Sequence, residues 1–280
     1  MVEHALDITH RKRDEEKLRR RLQFEELVAS ISTDLANLSV NEVEAGIERA
    51  LAGIGRFAEA DRSYVYLLHD DGVTASRAHV WCAEGVDLGH QGVLDLETCR
   101  PPVGFGQSQY FGVLNIPSVQ RLQDSAAEAR KMLESTGVKS LLSAPIAIGG
   151  ELFGYLGLSA VRWERTWSED IEQLLKVAAE LLANAMERKR SAQLMQGKLA
   201  FGTLLSELSA AFINLSVEEL DKEIERWLAR VGQFLGIDRG AIIHISGVTA
   251  TVTHSWVADG LAPAVPTSDV GLDWSVKQLR

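Results

Sequence analysis

Cysteine is nearly absent. Only Cys82 and Cys99 occur in 280 residues, and the pair matches neither a disulfide framework nor the paired CxxC spacing of a metal knuckle. That usage fits a reducing compartment and predicts a cytoplasmic protein. No secretory leader is expected either: MVEHALDITHRKR turns charged at once, where a signal peptide would open into an apolar stretch. Long hydrophobic runs are also lacking. The most apolar stretch, residues 174–186, is short and is interrupted by Lys176 and Glu180, so no membrane span is expected. Positive charge is in deficit, with a formal net charge of -10, which argues against a broad nucleic-acid surface.

What the chain does contain is enough apolar material for a sizeable core: 46% of its residues are hydrophobic and 24% charged, as in an ordinary globular protein. Its length suits one large domain or two ordinary ones, and an internal repeat favours two. The stretch from Phe24 aligns without gaps on the stretch from Phe201. Asn37, Leu38, Ser39 and Val40 recur as Asn214, Leu215, Ser216 and Val217. Ile47, Glu48 and Arg49 recur as Ile224, Glu225 and Arg226, and Asp61 and Arg62 recur as Asp238 and Arg239. After a short gap His79 and Trp81 recur as His254 and Trp256. So long a period indicates two tandem domains, not a solenoid.

Each copy opens with apolar residues at helical spacing, in the first copy Phe24, Leu27, Val28, Ile31 and Leu35, then Val43, Ile47, Leu51 and Ile54. Residues 37–41 read as a break with a fresh cap at Ser39 or Asn41. Residues 63–68 and 74–82 read as strands joined at the turn signal HDDG, and residues 139–148 and 152–161 as a second hairpin turning at Gly149 and Gly150. Ser168 then caps a long helix with Ile171, Leu174, Leu175, Ala178, Leu181, Leu182 and Ala185 on one stripe, continuing toward the next domain.

This order, with GVKSLLSAPIAIGGELFGYLGL as its late hairpin and TWSEDIEQLL opening its closing helix, resembles a GAF domain over residues 24–190. The resemblance implies an α+β fold: an antiparallel sheet of about six strands, helices on one face, a small-molecule pocket on the other, and long N- and C-terminal signalling helices. Residues 1–9 resemble the tail of a PAS domain, where an Asp-Ile-Thr triplet, here Asp7, Ile8 and Thr9, closes the last strand and leads into a charged helix. The expected map is therefore a PAS end at 1–9, a linker helix at 10–23, a complete GAF domain at 24–190, a connecting helix at 191–200 and the first part of a second GAF domain at 201–280.

The basic run from Arg11 to Arg21 is interrupted by Asp14, Glu15 and Glu16 at i,i+4 spacings, so it reads as a solvated helix with Leu18 and Leu22 as a narrow seam for a second copy. Further along that axis Leu181, Leu182 and Ala185 are expected to extend the helix seam. Cys82 lies in an apolar strand and is replaced by Val257 in the second copy, as expected of a small packing residue. Bilin-binding relatives carry a Cys beside a His and a D-I-P stretch, neither of which occurs here. The methionine sulfoxide reductase branch needs more cysteines. His79 and His254 have no second donor at ligand spacing, so neither a metal nor a haem is expected and a structural role is. The cyclic-nucleotide signature N-K-x-F-x-D-E is not matched by Ser159, Ala160, Val161, Arg162 and Trp163.

The cofactor is thus left unnamed. Expected pocket residues are Trp81, Phe105, Gln107, Tyr110, Phe111, Leu141, Ser143 and Tyr155, with the stretch from Asp95 to Phe111 either a lid or a plain surface loop, and Trp81 either packing or pocket lining. The functional expectation is a non-enzymatic, small-molecule-sensing and dimerising module. It would sit in a bacterial signalling protein of the histidine-kinase or diguanylate cyclase/phosphodiesterase type, pairing in parallel with a second copy between an upstream PAS domain and a downstream output domain. A ligand-free dimeric spacer and, more remotely, a GAF-type reductase are the alternatives.

Overall fold

The structure, a computed structural model, describes residues 2–89, 94–95, 112–213, 215–246, 249–261 and 270–271. The chain divides into two compact units, residues 1–192 and 193–280.

In the first unit, helix α1 spans Val2–Asn37 and α2 spans Val43–Phe57. Asp7, Ile8 and Thr9 lie inside α1, so the triplet expected to close a strand is helical here. The buried side chains of α2 include Val43, Ile47, Ala50, Leu51 and Ile54, the three-to-four spacing that puts one stripe on the core. Between the helices the Ser39 backbone N–H donates to the Glu42 carboxylate at 3.1 Å.

Strands β1 (Arg62–Leu68) and β2 (Thr74–Cys82) form the first hairpin. Its turn is fixed by Asp71, whose carboxylate accepts the N–H groups of Val73 and Thr74 at 2.9 and 2.8 Å, while Gly72 takes a φ of 66° that a residue with a Cβ adopts only under strain. Next come the two-residue β3 (Leu94–Asp95), β4 (Leu114–Ile116), two 3-10 turns and helix α3 (Ala127–Ser135). Strands β5 (Ser140–Ile148) and β6 (Glu151–Ala160) turn through Gly149 and Gly150, both at positive φ as a two-residue hairpin turn requires. The sheet has six antiparallel strands in the order β3-β2-β1-β6-β5-β4, in agreement with the sheet expected from the sequence.

The closing helix α4 runs from Glu169 to Ile213, 45 residues, with Glu169, Asp170 and Glu172 in its first turn, where acid complements the helix dipole. Val65, Leu142, Leu156 and Leu158 from the sheet meet Leu51 and Ile54 of α2 and Leu174, Leu175 and Leu182 of α4 in one core, all of them 0% exposed. Each such side chain contributes about 2 kcal/mol through removal from water.

Contacts at the ends of α2 set the directions of its neighbours. Phe24 of α1 meets Phe57 at the end of α2 with ring centroids 6.4 Å apart, and Asp34 pairs with Arg49 at 3.8 Å, so the two helices are antiparallel. Arg165, just ahead of α4, donates to the Ala58 carbonyl at 2.8 Å and pairs with Glu59, whereas Lys189 pairs with Glu44 at the start of α2. Helix α4 is therefore antiparallel to α2 and parallel to α1. It leaves the core at the opposite end from the one at which α1 arrives.

The second unit contains α5 (Val217–Leu235), the antiparallel hairpin β7 (Arg239–Ser246) and β8 (Thr249–Val257), and the short β9 (Val270–Gly271), in the order β7-β8-β9. Helix α5 opens on a capping box of Ser216 and Glu219 and closes on Gly236 at a φ of 66°.

Candidate functional site

Residues opposite each other on neighbouring strands share a face of the sheet, so the strand register sorts the side chains. One row reads Arg77, Tyr66, Tyr155, Pro145 across β2, β1, β6 and β5. The next reads Val80, Tyr64, Gly157, Ser143, Leu114, and the third Cys82, Arg62, Ser159, Leu141, Ile116. These rows face away from α2. The alternating rows, with Trp81, Ser63, Leu158 and Leu142 and with His79, Val65, Leu156 and Ala144, face the helices.

The third row is closed over by α3. Leu133, Val138 and Val119 pack there on Leu141, with Tyr64, Leu114 and Ile116 against them. Arg62 holds this cover in place. Its Nε donates to the Asp87 carbonyl at 2.9 Å and its Nη1 to the Thr136 carbonyl at 3.1 Å, while Nη2 pairs with the Asp87 carboxylate. One guanidinium thus ties the loop after β2 to the end of α3, as only a planar fork of donors can. Its neighbour Asp61 is buried and accepts the N–H groups of Val161 and Arg162 at 2.7 and 3.0 Å, fixing the chain where β6 ends.

The first two rows form a floor rich in phenol groups: Tyr64, Tyr66 and Tyr155, with Ser143 beside them. Tyr64 and Tyr66 meet edge to face at 5.4 Å with an interplanar angle of 82°. The Tyr64 ring lies over Gly157, where any Cβ would collide with it. Burial, with Tyr66 adding to it against an opposing pull from Arg62, raises the Tyr64 phenol well above its ordinary value. It therefore stays a neutral hydrogen-bonding group across the physiological range. A floor of this kind can bind a ligand by aromatic contact and hydroxyl hydrogen bonds.

Ser143 and Tyr155, expected from the sequence as pocket residues, lie on this face of the sheet. Leu141 shares the face but is buried under α3. Trp81 does not belong: it lies on the helix face, with its ring over Gly55 of α2, where the missing side chain leaves a slot. Phe105, Gln107, Tyr110, Phe111 and Cys99 lie outside the described residues. The helix seam also needs correction. Leu182 and Ala185 are wholly buried in the core and Leu181 is partly so, because α1, α2 and the sheet enclose that stripe. Leu18 and Leu22 are exposed, at 61% and 50%. A groove of about 740 Å³ runs between α1 and α2, with Leu27 and Phe57 among its apolar lining and Arg19, Arg20 and Arg56 among its charges.

His79 Nε2 lies 2.7 Å from the Glu44 carboxylate. Cys82 donates to the Asp87 carbonyl at 3.4 Å, and burial, against the opposing fields of Arg62 and Arg77, raises its thiol above the ordinary value. A thiol held protonated in this way is a poor nucleophile. No cluster of three or more His, Cys, Asp or Glu side chains suited to a metal occurs among the described residues. Tyr64, Tyr66 and Arg62 were not singled out by the sequence. The available signals were the i,i+2 tyrosines on one strand and the Asp-Arg pair that recurs in both copies.

The family model of the GAF domain matches residues 42–186, just over half of the chain and within the unit that carries this floor. The chain belongs to the GAF domain family. The chain is similar to the methanogenesis regulatory histidine kinase FilI of Methanothrix harundinacea (strain 6Ac), 27% identical over 233 residues. That alignment covers 81% of this chain and 24% of the kinase, so the chain spans about a quarter of this relative's length. Among solved structures, the phycocyanobilin-bound GAF domain of a cyanobacterial phytochrome superposes with a TM-score of 0.51 at 22% identity, covering 60% of this chain and 96% of that one. A bacteriophytochrome from the photosynthetic bacterium R. palustris superposes with a TM-score of 0.63 at 14% identity, covering 82% and 50%. At such identities the likeness is one of fold. No helix among the described residues is long and apolar enough to cross a membrane.

Proposed function

We propose that this chain is a non-enzymatic sensory and dimerisation module of a cytoplasmic signalling protein. Its GAF domain takes a small molecule on the tyrosine floor and passes the response along α1 and α4 to an output domain of the histidine-kinase or cyclase/phosphodiesterase kind. The observation that carries this reading is the two-sided sheet: hydroxyl-bearing aromatics on one face, and on the other two parallel helices that project from opposite ends of the core. The kinase relative and the phycocyanobilin-bound fold relative support it. That bilin is not carried over, since Cys82 lies on a strand and is engaged by Asp87.

The second unit is read as part of a second GAF domain, while the helix through Asp7, Ile8 and Thr9 gives a PAS end at residues 1–9 no support. Two copies would pair in parallel, with Leu18 and Leu22 in the seam. Parallel pairing aligns the two α1 helices at one end and the two α4 helices at the other, which suits transmission by small helix shifts. The second reading, a ligand-free dimeric spacer, needs only the exposed Leu18 and Leu22 and no ligand on the floor.

Native mass spectrometry of freshly purified protein separates the two: a retained ligand of defined mass supports sensing, and an empty chain in repeated preparations supports the spacer. Sedimentation tests the pairing. Leu18→Glu with Leu22→Glu should yield a folded monomer, and a wild type that is monomeric at high concentration overturns the relay. Leu182→Glu should instead unfold the domain, since an unpaired charge in the core costs several kcal/mol, on the order of 3–5.

A further inference from the structure

The end of the first unit's helical layer carries a chain of charged contacts. Within the first unit, burial along α4 stops at Met186, and none of residues 187–192 is buried. At that point Arg188 donates to the carbonyls of Leu35 and Ala36 in the last turn of α1, the Ala36 bond measuring 3.1 Å. Lys189 donates to one oxygen of Glu44, and His79 meets the other at 2.7 Å. The His79 side chain is 8% exposed, and Glu44 is half exposed. Burial opposes ionisation of Glu44, but the Lys189 hydrogen bond and the fields of His79 and Lys189 outweigh it and lower its pKa.

The placement of His79 gives this chain of contacts a direction. The β1–β2 register jumps from His79 to Arg77 beside Val65 and Tyr66, leaving Ala78 as a bulge. Bulges are local kinks that re-aim side chains. Across the bulge, Arg77 and Val80 lie in the two rows of the tyrosine floor, while His79 faces α2. A displacement of β2 at the floor therefore reaches His79, then Glu44, then the point where α4 leaves the core. The second unit repeats the His–acid pair, His254 with Asp221 at 3.2 Å.

We propose that Glu44 is a latch joining strand β2 to the departing end of α4, so that His79 and Lys189, which share no contact, are coupled through its two oxygens. The proposal rests on reading α4 as the output helix, but its test does not depend on a ligand or on dimerisation. The measurement is hydrogen exchange on the full chain. His79→Leu, a change in the sheet, should speed exchange of amides 187–192 by about fivefold or more, the low end of typical site-to-site coupling, while amides 174–182 stay unchanged. Coupling is reciprocal, so Lys189→Met should loosen amides 79–82 by a similar factor. Glu44→Gln should do both, and adding His79→Leu to it should change residues 187–192 no further. Unchanged exchange at 187–192 in His79→Leu overturns the latch, as does a uniform rise across the unit, which would mean that His79 merely stabilises the fold. Either result leaves the sensing reading to stand or fall by mass spectrometry and sedimentation.

Discussion

The chain builds the same helix-and-hairpin module twice and gives each copy different neighbours. In the first unit the Ser39 N–H reaches Glu42, the Trp81 ring covers Gly55, His79 pairs with Glu44, and the hairpin bulges beside Val65 and Tyr66. In the second, Ser216 reaches Glu219, Trp256 covers Gly232, His254 pairs with Asp221, and the hairpin register shifts between Ile242 and Ile243. Every one of these features sits at the position its repeat predicts. Burial does not follow. Val65 is 0% exposed and its counterpart Ile242 is 41%; Ala58 is 2% exposed and Leu235 is 57%. The difference arises because β1 is an interior strand, flanked by β2 and β6, while β7 has β8 alone beside it among the described residues. Local sequence writes the module, and neighbouring strands and helices decide which of its apolar residues form a core.

The largest effect that could break this contrast is a matched pair of truncations. Val65→Ala should cost about 2–3 kcal/mol, the lost transfer energy of two methyl groups plus a cavity term. Ile242→Ala should cost no more than about 0.5–1 kcal/mol, as at a surface position. Urea unfolding followed by hydrogen exchange of the β1 and β7 peptides reads each unit separately. Equal losses would mean that the second hairpin is buried by something the described residues do not include.

A smaller effect is expected at the recurring Asp-Arg pair. Arg62 is buried with three donors engaged, whereas Arg239 is exposed. Arg62→Lys leaves the Thr136 carbonyl and Asp87 short of donors and should cost about 1.5–2 kcal/mol, with faster proteolysis in residues 84–89. Arg239→Lys should be silent within about 0.5 kcal/mol. If both are silent, Arg62 does not hold α3 to the floor.

These pairs also mark how far the sequence could be read. The repeat, both hairpins, the glycine turns and the closing helix were legible because each depends on residues near one another in the chain. The side of the sheet on which Trp81 falls was not, since alternation reveals two faces without saying which one the helices cover. The stripe through Leu181, Leu182 and Ala185 was read as a seam because sequence alone does not show that α1, α2 and the sheet together enclose it. Tyr64 and Tyr66 look like ordinary strand formers until the register places them beside Gly157 and Tyr155.

The smallest expected effect is read at Glu44 by acid titration. The Glu44 carboxyl is held below its ordinary value of 4.5, burial opposing and Lys189 with His79 prevailing. A depressed carboxylate stabilises the fold at pH values above its unfolded pKa, and that stability is lost as pH falls through the folded pKa. Lowering the pH from 6 to below 4 should therefore remove a contribution from the wild type that Glu44→Gln never had, and the two stabilities should converge. Glu44 is half exposed, so solvent screening keeps this contribution below about 1 kcal/mol. Asp221 is 82% exposed on its side chain, and Asp221→Asn should change the stability at neutral pH by less than about 0.5 kcal/mol. Urea midpoints at half-unit pH steps are sensitive enough to resolve this. A gap between wild type and Glu44→Gln that persists unchanged down to pH 3 would mean that the glutamine has disturbed packing around His79, and that charge is not what holds α4 to the sheet.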